Sequence, residues 1–227
     1  MLNNNSIALI IPCYNEEEGL KTLLPKIPKF IDEVIIVDNN STDNTPNIAR
    51  SFGCTILNEK IPGYGAAYKC GFSSVSKDII VTMDGDDTYP IHEVKHNIEV
   101  LLDNNYDFIT CSRFPLINKS AMNFSNILGN KILTIITKVL FGTSLKDSQS
   151  GMWVFKKYIF KYIFPKSNGM PLSQEIKILA LRHQKINFFE TNIGYAPRIG
   201  EVKLDKWRDG FKNLIFLFKL RFKKNYI

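Results

Sequence analysis

Asp84 and Asp86 stand one residue apart, directly behind the apolar run Ile79–Met83. A chain that turns at the end of a strand can bring both carboxylates onto one hard divalent cation. Mg2+ and Mn2+ take oxygen ligands of this kind and bridge diphosphate oxygens. Held there, such an ion acts as a Lewis acid on a diphosphate leaving group. Asp-Gly-Asp is also ordinary turn chemistry. Its place behind a fully apolar run tips the balance, because an acidic cluster there calls for a compensating cation.

Two further polar clusters follow apolar runs in the same way. Ile7–Ile11 leads into Pro12, Cys13, Tyr14, Asn15 and Glu16, and Val34–Val37 leads into Asp38 of VDNNSTDNT. A carboxylate at the position of Asp38 can accept hydrogen bonds from a ribose or base, while Ser41, Thr42 and Asp43 suit the cap of the next helix. Gly63-Tyr64-Gly65 opens a helical segment. Its small residues would let backbone N–H groups approach an anion, or a neighbouring backbone pack closely.

The elements that must position these groups alternate. Short β-branched runs at Ile7–Ile11, Val34–Val37, Thr55–Leu57, Ile79–Met83 and Phe108–Cys111 read as strands buried on both faces. Between them, 16–30, 44–52, 65–74 and 91–104 read as helices. This order predicts an α/β domain with a mostly parallel central sheet, whose ligands sit beyond the carboxyl ends of the strands. The three polar clusters should therefore meet in one crevice. Farther on, 123–141 and 173–182 read as helices, Met152–Phe155 as a strand, and 186–191 and 193–196 as extended chain.

Composition narrows the classes. The chain has 227 residues, 44% of them hydrophobic and 22% charged, as expected of a folded domain. Its N-terminal stretch lacks the basic region of a signal peptide. The four cysteines are far apart and only three histidines are present, so neither a zinc site nor disulfides are expected, and a cytoplasmic setting is the default. The formal net charge is +7. Seven Lys/Arg against one Asp lie from Lys206 to Ile227, so the excess is local and no nucleic-acid partner is expected. A nucleotidyltransferase would carry a glycine-rich loop after the first strand, where PCYNEEE stands instead.

Taken in order, IIPCYNEEE, VDNNSTDNT, GYGAAYKCGF, MDGDDTYP, DSQSG and YAPRIGEVKL resemble the motifs of glycosyltransferase family 2. More narrowly, they resemble its dolichyl-phosphate mannose synthase-like branch. The resemblance spans nearly the whole chain. It implies a GT-A fold, a Rossmann-like nucleotide-diphospho-sugar transferase fold, with a single catalytic domain over 1–205. Residues 1–113 would form the nucleotide-sugar half and 114–205 the acceptor half. It also implies an inverting hexosyltransferase using Mg2+ or Mn2+, a nucleoside-diphosphate sugar donor and a polyprenyl-phosphate acceptor. A glycan or lipid-linked saccharide hydroxyl is the alternative acceptor.

Carried over by motif, Pro12, Tyr14, Asn15, Glu16, Asp38, Asp84 and Lys203 would bind the donor. Asp84 and Asp86 would hold the metal. Arg198 would meet donor or acceptor phosphates, and Arg113 the acceptor phosphate, with Asp147 and Glu175 as nearby carboxylates. Asp147 would serve as base for a hydroxyl acceptor, or as a cap. Family members place a Gln two residues after the second Asp, where this chain has Thr88; Asp87 or water is the expected substitute. A second acceptor arginine is also missing, which leaves Lys119 or Lys131 for that role.

The tail, 206–227, places Trp207, Phe211, Leu214, Ile215, Phe218 and Phe222 on one helical face and Arg208, Lys212, Lys219 and Lys223 towards another. That pattern suits a helix lying in a membrane interface, or one packed on the domain, on a membrane-protein partner or on a second copy. The 123–141 helix, with a hardly charged polar stripe, is a second interfacial candidate. The protein is therefore expected as a peripheral protein on the cytoplasmic membrane face.

Overall fold

A computed structural model describes residues 2–203 and 206–222. Seven strands, β1 (Ile7–Cys13), β2 (Glu33–Asp38), β3 (Thr55–Asn58), β4 (Ile79–Thr82), β5 (Phe108–Ser112), β6 (Trp153–Lys156) and β7 (Phe188–Asn192), form one sheet. Their order is β3-β2-β1-β4-β6-β5-β7. All neighbours are parallel except β6, which runs antiparallel between β4 and β5. The segment 193–196, expected as extended chain, is not part of the sheet; Ile193 donates its N–H to Ser112 O at 3.0 Å and leads the chain off its edge.

Alternation along β1 divides the core. Ile7, Leu9 and Ile11 face helices α1 (Glu17–Leu23), α2 (Thr45–Ser51) and α4 (Val94–Asp103). Ala8 and Ile10 face α3 (Tyr64–Ser74) and α6 (Leu172–Arg182), among Tyr68, Phe72, Trp153 and Ile176. Helix α1 stops at Leu23, well short of the expected Phe30. Pro25 and Pro28 explain this, since each lacks the N–H that a continuing helix needs; a short 3-10 turn over Leu24–Lys26 follows.

Two helices lie apart from this sandwich. Helix α5 (Phe124–Phe141) and helix α7 (Lys206–Phe222) pack together, with Leu133, Phe141, Leu217 and Leu220 buried against Ile178 of α6. One face of the expected tail helix is thus fixed to the domain. The side chain of Trp207 and residue Lys223 of its expected stripes lie outside the described residues.

Candidate active site

The parallel register brings the three polar clusters together. Cys13 of β1 pairs with Asp38 of β2, and Ile10 pairs with Thr82 at the end of β4. Beyond these ends opens a cavity of about 420 Å3. Pro12, Tyr14, Glu16, Asp84, Arg198 and Lys203 line it, joined by Tyr64 and Met170. This volume suits a nucleotide-sized ligand.

Asn15 and Asp38 stand behind that wall. Asn15 Oδ1 accepts the Thr42 N–H at 2.7 Å, tying the loop after β1 to the loop after β2. Buried Asp38 accepts the Ser41 N–H at 3.3 Å. Both therefore shape the loops that border the cavity.

Asp86 is buried, with both oxygens engaged. Thr88 donates its hydroxyl to Oδ1 at 2.7 Å, and Arg198 donates to Oδ2 at 3.0 Å. Thr88 thus orients the carboxylate at the position where relatives were expected to carry a Gln. Asp87 does not turn inward as an extra ligand, for it pairs with Lys26 at 2.5 Å. Asp84 accepts the Tyr64 hydroxyl at 3.2 Å. Burial, and next the Asp86 carboxylate, push the Asp84 carboxyl up to about 7.

A strap of chain closes one side of the cavity. Ala196 and Ile199 donate N–H groups to the carbonyls of Thr88 and Asp86, at 2.9 and 3.0 Å. The strap carries Arg198 across both Asp86 and Glu16, and Lys203 onto Glu16 at 3.3 Å and onto the Asn15 carbonyl. Burial still pushes the Glu16 carboxyl up against the pull of these two cations. Among the described residues, Glu16 Oε2 and Arg198 Nε are buried without a hydrogen-bond partner. One is an acceptor and the other a donor, both in side chains of the cavity wall, as a polar ligand requires.

The carboxylates fit a divalent cation that arrives with a diphosphate. Among the described residues no group of three or more His, Cys, Asp or Glu side chains forms a metal cage. Mg2+ is ordinarily held by one or two carboxylates plus substrate phosphates, so Asp84, which lines the cavity, and Asp86 two residues on are the carboxylates that would hold it.

The segments expected to form two halves, 1–113 and 114–205, meet at Gly151, whose N–H donates to the Tyr89 hydroxyl at 2.7 Å and whose carbonyl accepts from Thr82 at 2.8 Å. A side chain there would begin 2.3 Å from the Tyr64 hydroxyl and 3.3 Å from Asp84. Four residues earlier, Asp147 is fully buried and holds Arg113 by two bonds, Nε to Oδ2 at 2.7 Å and Nη2 to Oδ1 at 2.9 Å. The Arg113 guanidinium also lies 5.4 Å from the Tyr195 ring. Despite burial, Arg113 and then Lys177 hold the Asp147 carboxyl down at about 2. Lys177 is itself buried, and donates to the carbonyls of Asp147 and Ser150 at 3.1 and 2.9 Å.

Other expectations resolve differently. Glu175 is buried and accepts the N–H groups of Lys166 and Ser167, both at 2.8 Å; it holds the loop that brings Met170 to the cavity. The Gly63-Tyr64-Gly65 turn packs closely on its neighbours, and Gly63 and Tyr64 also line the cavity. Its Gly63 N–H goes to Asn39 Oδ1 and the Ala66 N–H to the Asn168 carbonyl. Lys119 and Lys131 are exposed. The cysteines are free.

Comparison with known proteins now decides the family. The family described as Glycosyl transferase family 2 matches residues 8–164, more than half of the chain. The chain belongs to glycosyltransferase family 2. A dolichyl-phosphate hexose transferase of Haloferax volcanii is 32% identical over 213 residues, covering 91% of this chain and 90% of the relative. The low-salt glycan biosynthesis hexosyltransferase Agl6 of the same organism is 27% identical over 93% of this chain. This chain spans only 53% of Agl6, about half its length. The glucosyl-3-phosphoglycerate synthase of Mycobacterium tuberculosis, crystallised with Mn2+, UDP-glucose and phosphoglyceric acid, superposes with a TM-score of 0.76. That match covers 96% of this chain and 80% of the synthase at 19% identity, and so speaks for the fold alone. The fold is GT-A, and the cavity described above is the candidate donor site of a family 2 nucleotide-sugar transferase.

Gly19, which the motifs did not single out, sits where α1 meets the Asp84–Asp86 turn. A Cβ on it would begin 2.1 Å from the Gly85 carbonyl oxygen and 2.9 Å from Asp86 Cα. Gly19→Ala is expected to displace this turn, costing about 1–3 kcal/mol of stability. The same displacement should cost about a hundredfold in transfer. Thermal melts beside initial rates check this, and an unchanged rate would show that the turn tolerates the shift.

Proposed function

We propose that this protein transfers a hexose from a nucleoside-diphosphate sugar to a polyprenyl phosphate, with a divalent cation held by Asp84 and Asp86. The observation that carries the acceptor assignment is the state of Asp147. A hydroxyl acceptor needs a general base whose carboxylate takes up a proton near neutral pH. Asp147, the first candidate for that work, has both oxygens committed to Arg113 and its carboxyl held at about 2. A phosphate monoester needs no base, because it arrives as an anion.

Its oxygen would attack the anomeric carbon as the bond from that carbon to the diphosphate breaks. The nucleoside diphosphate leaves with the electron pair, and in-line attack inverts the centre. The cation, when bound, neutralises charge on the departing diphosphate. Arg198 and Lys203 add positive charge on the same side, and Tyr64 fixes Asp84. Arg113, oriented by Asp147, supplies positive potential on the acceptor side. The 32% identical relative, a dolichyl-phosphate hexose transferase, supports this reading.

The test incubates the protein with labelled GDP-mannose, UDP-glucose or UDP-N-acetylglucosamine, polyprenyl phosphate, and Mg2+ or Mn2+. Label from one donor should enter the organic phase, stop on chelation and return with added metal. Donor binding without organic-phase label would overturn the lipid-phosphate acceptor in favour of a saccharide hydroxyl.

A further inference from the structure

Helix α5 buries Leu133 and Phe141 but leaves most of its large apolar side chains exposed. Its polar residues Thr134 and Thr137 are buried, while Phe124, Leu128, Ile132, Ile135 and Val139 face outward. Phe124 and Val139 are each 79% exposed. Helix α7, packed beside it, also leaves Phe211, Ile215, Phe218 and Phe222 exposed after burying Leu217 and Leu220. Nine large apolar side chains on two adjoining helices far exceed the scattered apolar residues of an ordinary surface.

The charged residues on these two helices are almost all positive. Lys131 and Lys138 on α5, and Arg208, Lys212, Lys219 and Arg221 on α7, are exposed, and α5 carries no acidic residue. The one acid among the described residues of α7, Asp209, pairs with Lys212 at 3.6 Å. We infer that the α5–α7 face docks on an anionic lipid bilayer, apolar side chains entering the acyl boundary and the cations meeting headgroups. A second copy is disfavoured, because two-fold pairing would set these cations against one another. Helix α5 lies on the bilayer rather than across it, since its inner side is tied into the protein. Thr134 Oγ1 accepts the Ser148 N–H at 3.1 Å, and Leu133 and Phe141 are packed against α6 and α7.

This face also reaches the site. Ser148 belongs to the turn that carries Asp147, the partner of Arg113. From α7, Asn213 donates to Gln149 of the same turn at 3.0 Å, and its carbonyl accepts from Gln174 at 2.8 Å. Gln149 in turn donates to Gln174 at 2.9 Å. Both docking helices are therefore hydrogen-bonded, on their inner sides, to the acceptor turn. Docking would hold that turn at the lipid surface, where a polyprenyl phosphate presents its headgroup. The inference deepens the proposed function, and its test does not depend on transfer.

The experiment is flotation of the full chain with phosphatidylcholine vesicles and with vesicles also containing phosphatidylglycerol. Binding is expected to the mixed vesicles, weaker to the neutral ones, and reduced by salt. Ile135→Asp with Val139→Asp, and separately Phe218→Asp, should each weaken binding about tenfold or more. Their melting temperatures should fall little, because Val139 is 79% exposed and Ile135 and Phe218 are 58% and 45% exposed. Failure of the wild-type chain to float, or flotation of the variants equal to wild type, would overturn the inference. A dimeric wild type made monomeric by the same variants would do so too, by assigning the face to a second copy. Flotation as expected, with no phosphate acceptor taking label, would instead overturn the acceptor reading and leave the docking surface standing.

Discussion

Asp86→Asn is expected to lower hexose transfer about a thousandfold while leaving the chain folded, a loss of about 4 kcal/mol of transition-state stabilisation. Asparagine keeps the volume and can still accept from Thr88, whose hydroxyl and N–H both reach Oδ1. What it loses is the charge at Oδ2, the oxygen that Arg198 engages. A cation brought in with a diphosphate would then find one carboxylate in place of two. Folding should not suffer, because the substitution also removes a repulsion. The Asp86 carboxylate is, after burial, the second cause of the raised Asp84 carboxyl. With that charge gone, Asp84 relaxes towards the ordinary carboxylate range, and Arg198 retains its pairing with Glu16. Initial rates at saturating donor, melting curves and Mn2+ binding in the presence of nucleoside diphosphate check each part. A rate within tenfold of wild type would remove Asp86 from the proposed metal site.

How far this site can be read from the sequence depends on what carries the information. Asp84, Asp86 and Glu16 are legible because apolar runs end directly in them, and parallel strands must deliver such ends to one edge. The mostly parallel sheet is legible for the same reason. Strand β6 is legible as a strand but not in its direction: nothing in Trp153–Lys156 tells the chain to run antiparallel between β4 and β5, since that register is set by the partners on either side. Nothing in the sequence singles out Lys177 or Glu190 from the other charged residues of their segments. Only the fold shows Lys177 fully buried beneath the acceptor turn, and Glu190 accepting the N–H groups of Lys146 and Asp147. Periodicity finds the two stripes of α5 but not which one faces the protein. The direction is decided by Ser148, which offers Thr134 a polar partner. Gly19 is silent in sequence because its contribution is the space it leaves for backbone, and Gly151, though it ends the DSQSG motif, shows only in the fold that it leaves room for Tyr64.

The other large effect is expected at the Arg113–Asp147 pair, where structure and chemistry can be separated. Arg113→Ala leaves a fully buried carboxylate whose chief counter-charge has gone, and should destabilise the fold by about 3–5 kcal/mol. The pH dependence gives a sign that mere loss of packing would not. In the wild-type chain the folded carboxyl lies at about 2, below its usual 3.8. Its contribution to stability is therefore complete above the unfolded value and is lost as pH falls towards 2. Without Arg113, burial raises the folded value above the unfolded one, so the carboxyl favours the native state when protonated. The variant should then lose stability as pH rises from the unfolded value through the folded one, opposite in sense to wild type. Combining Arg113→Met with Asp147→Leu removes the buried charge altogether and should recover much of the stability, as apolar replacements of buried ion pairs do. Transfer should stay lost in this double variant, because the acceptor side no longer carries the guanidinium. Urea melts across the acidic range, run beside transfer assays on both variants, decide the matter: recovered stability together with recovered transfer would make the pair a scaffold, and recovered stability without transfer would place Arg113 at the acceptor.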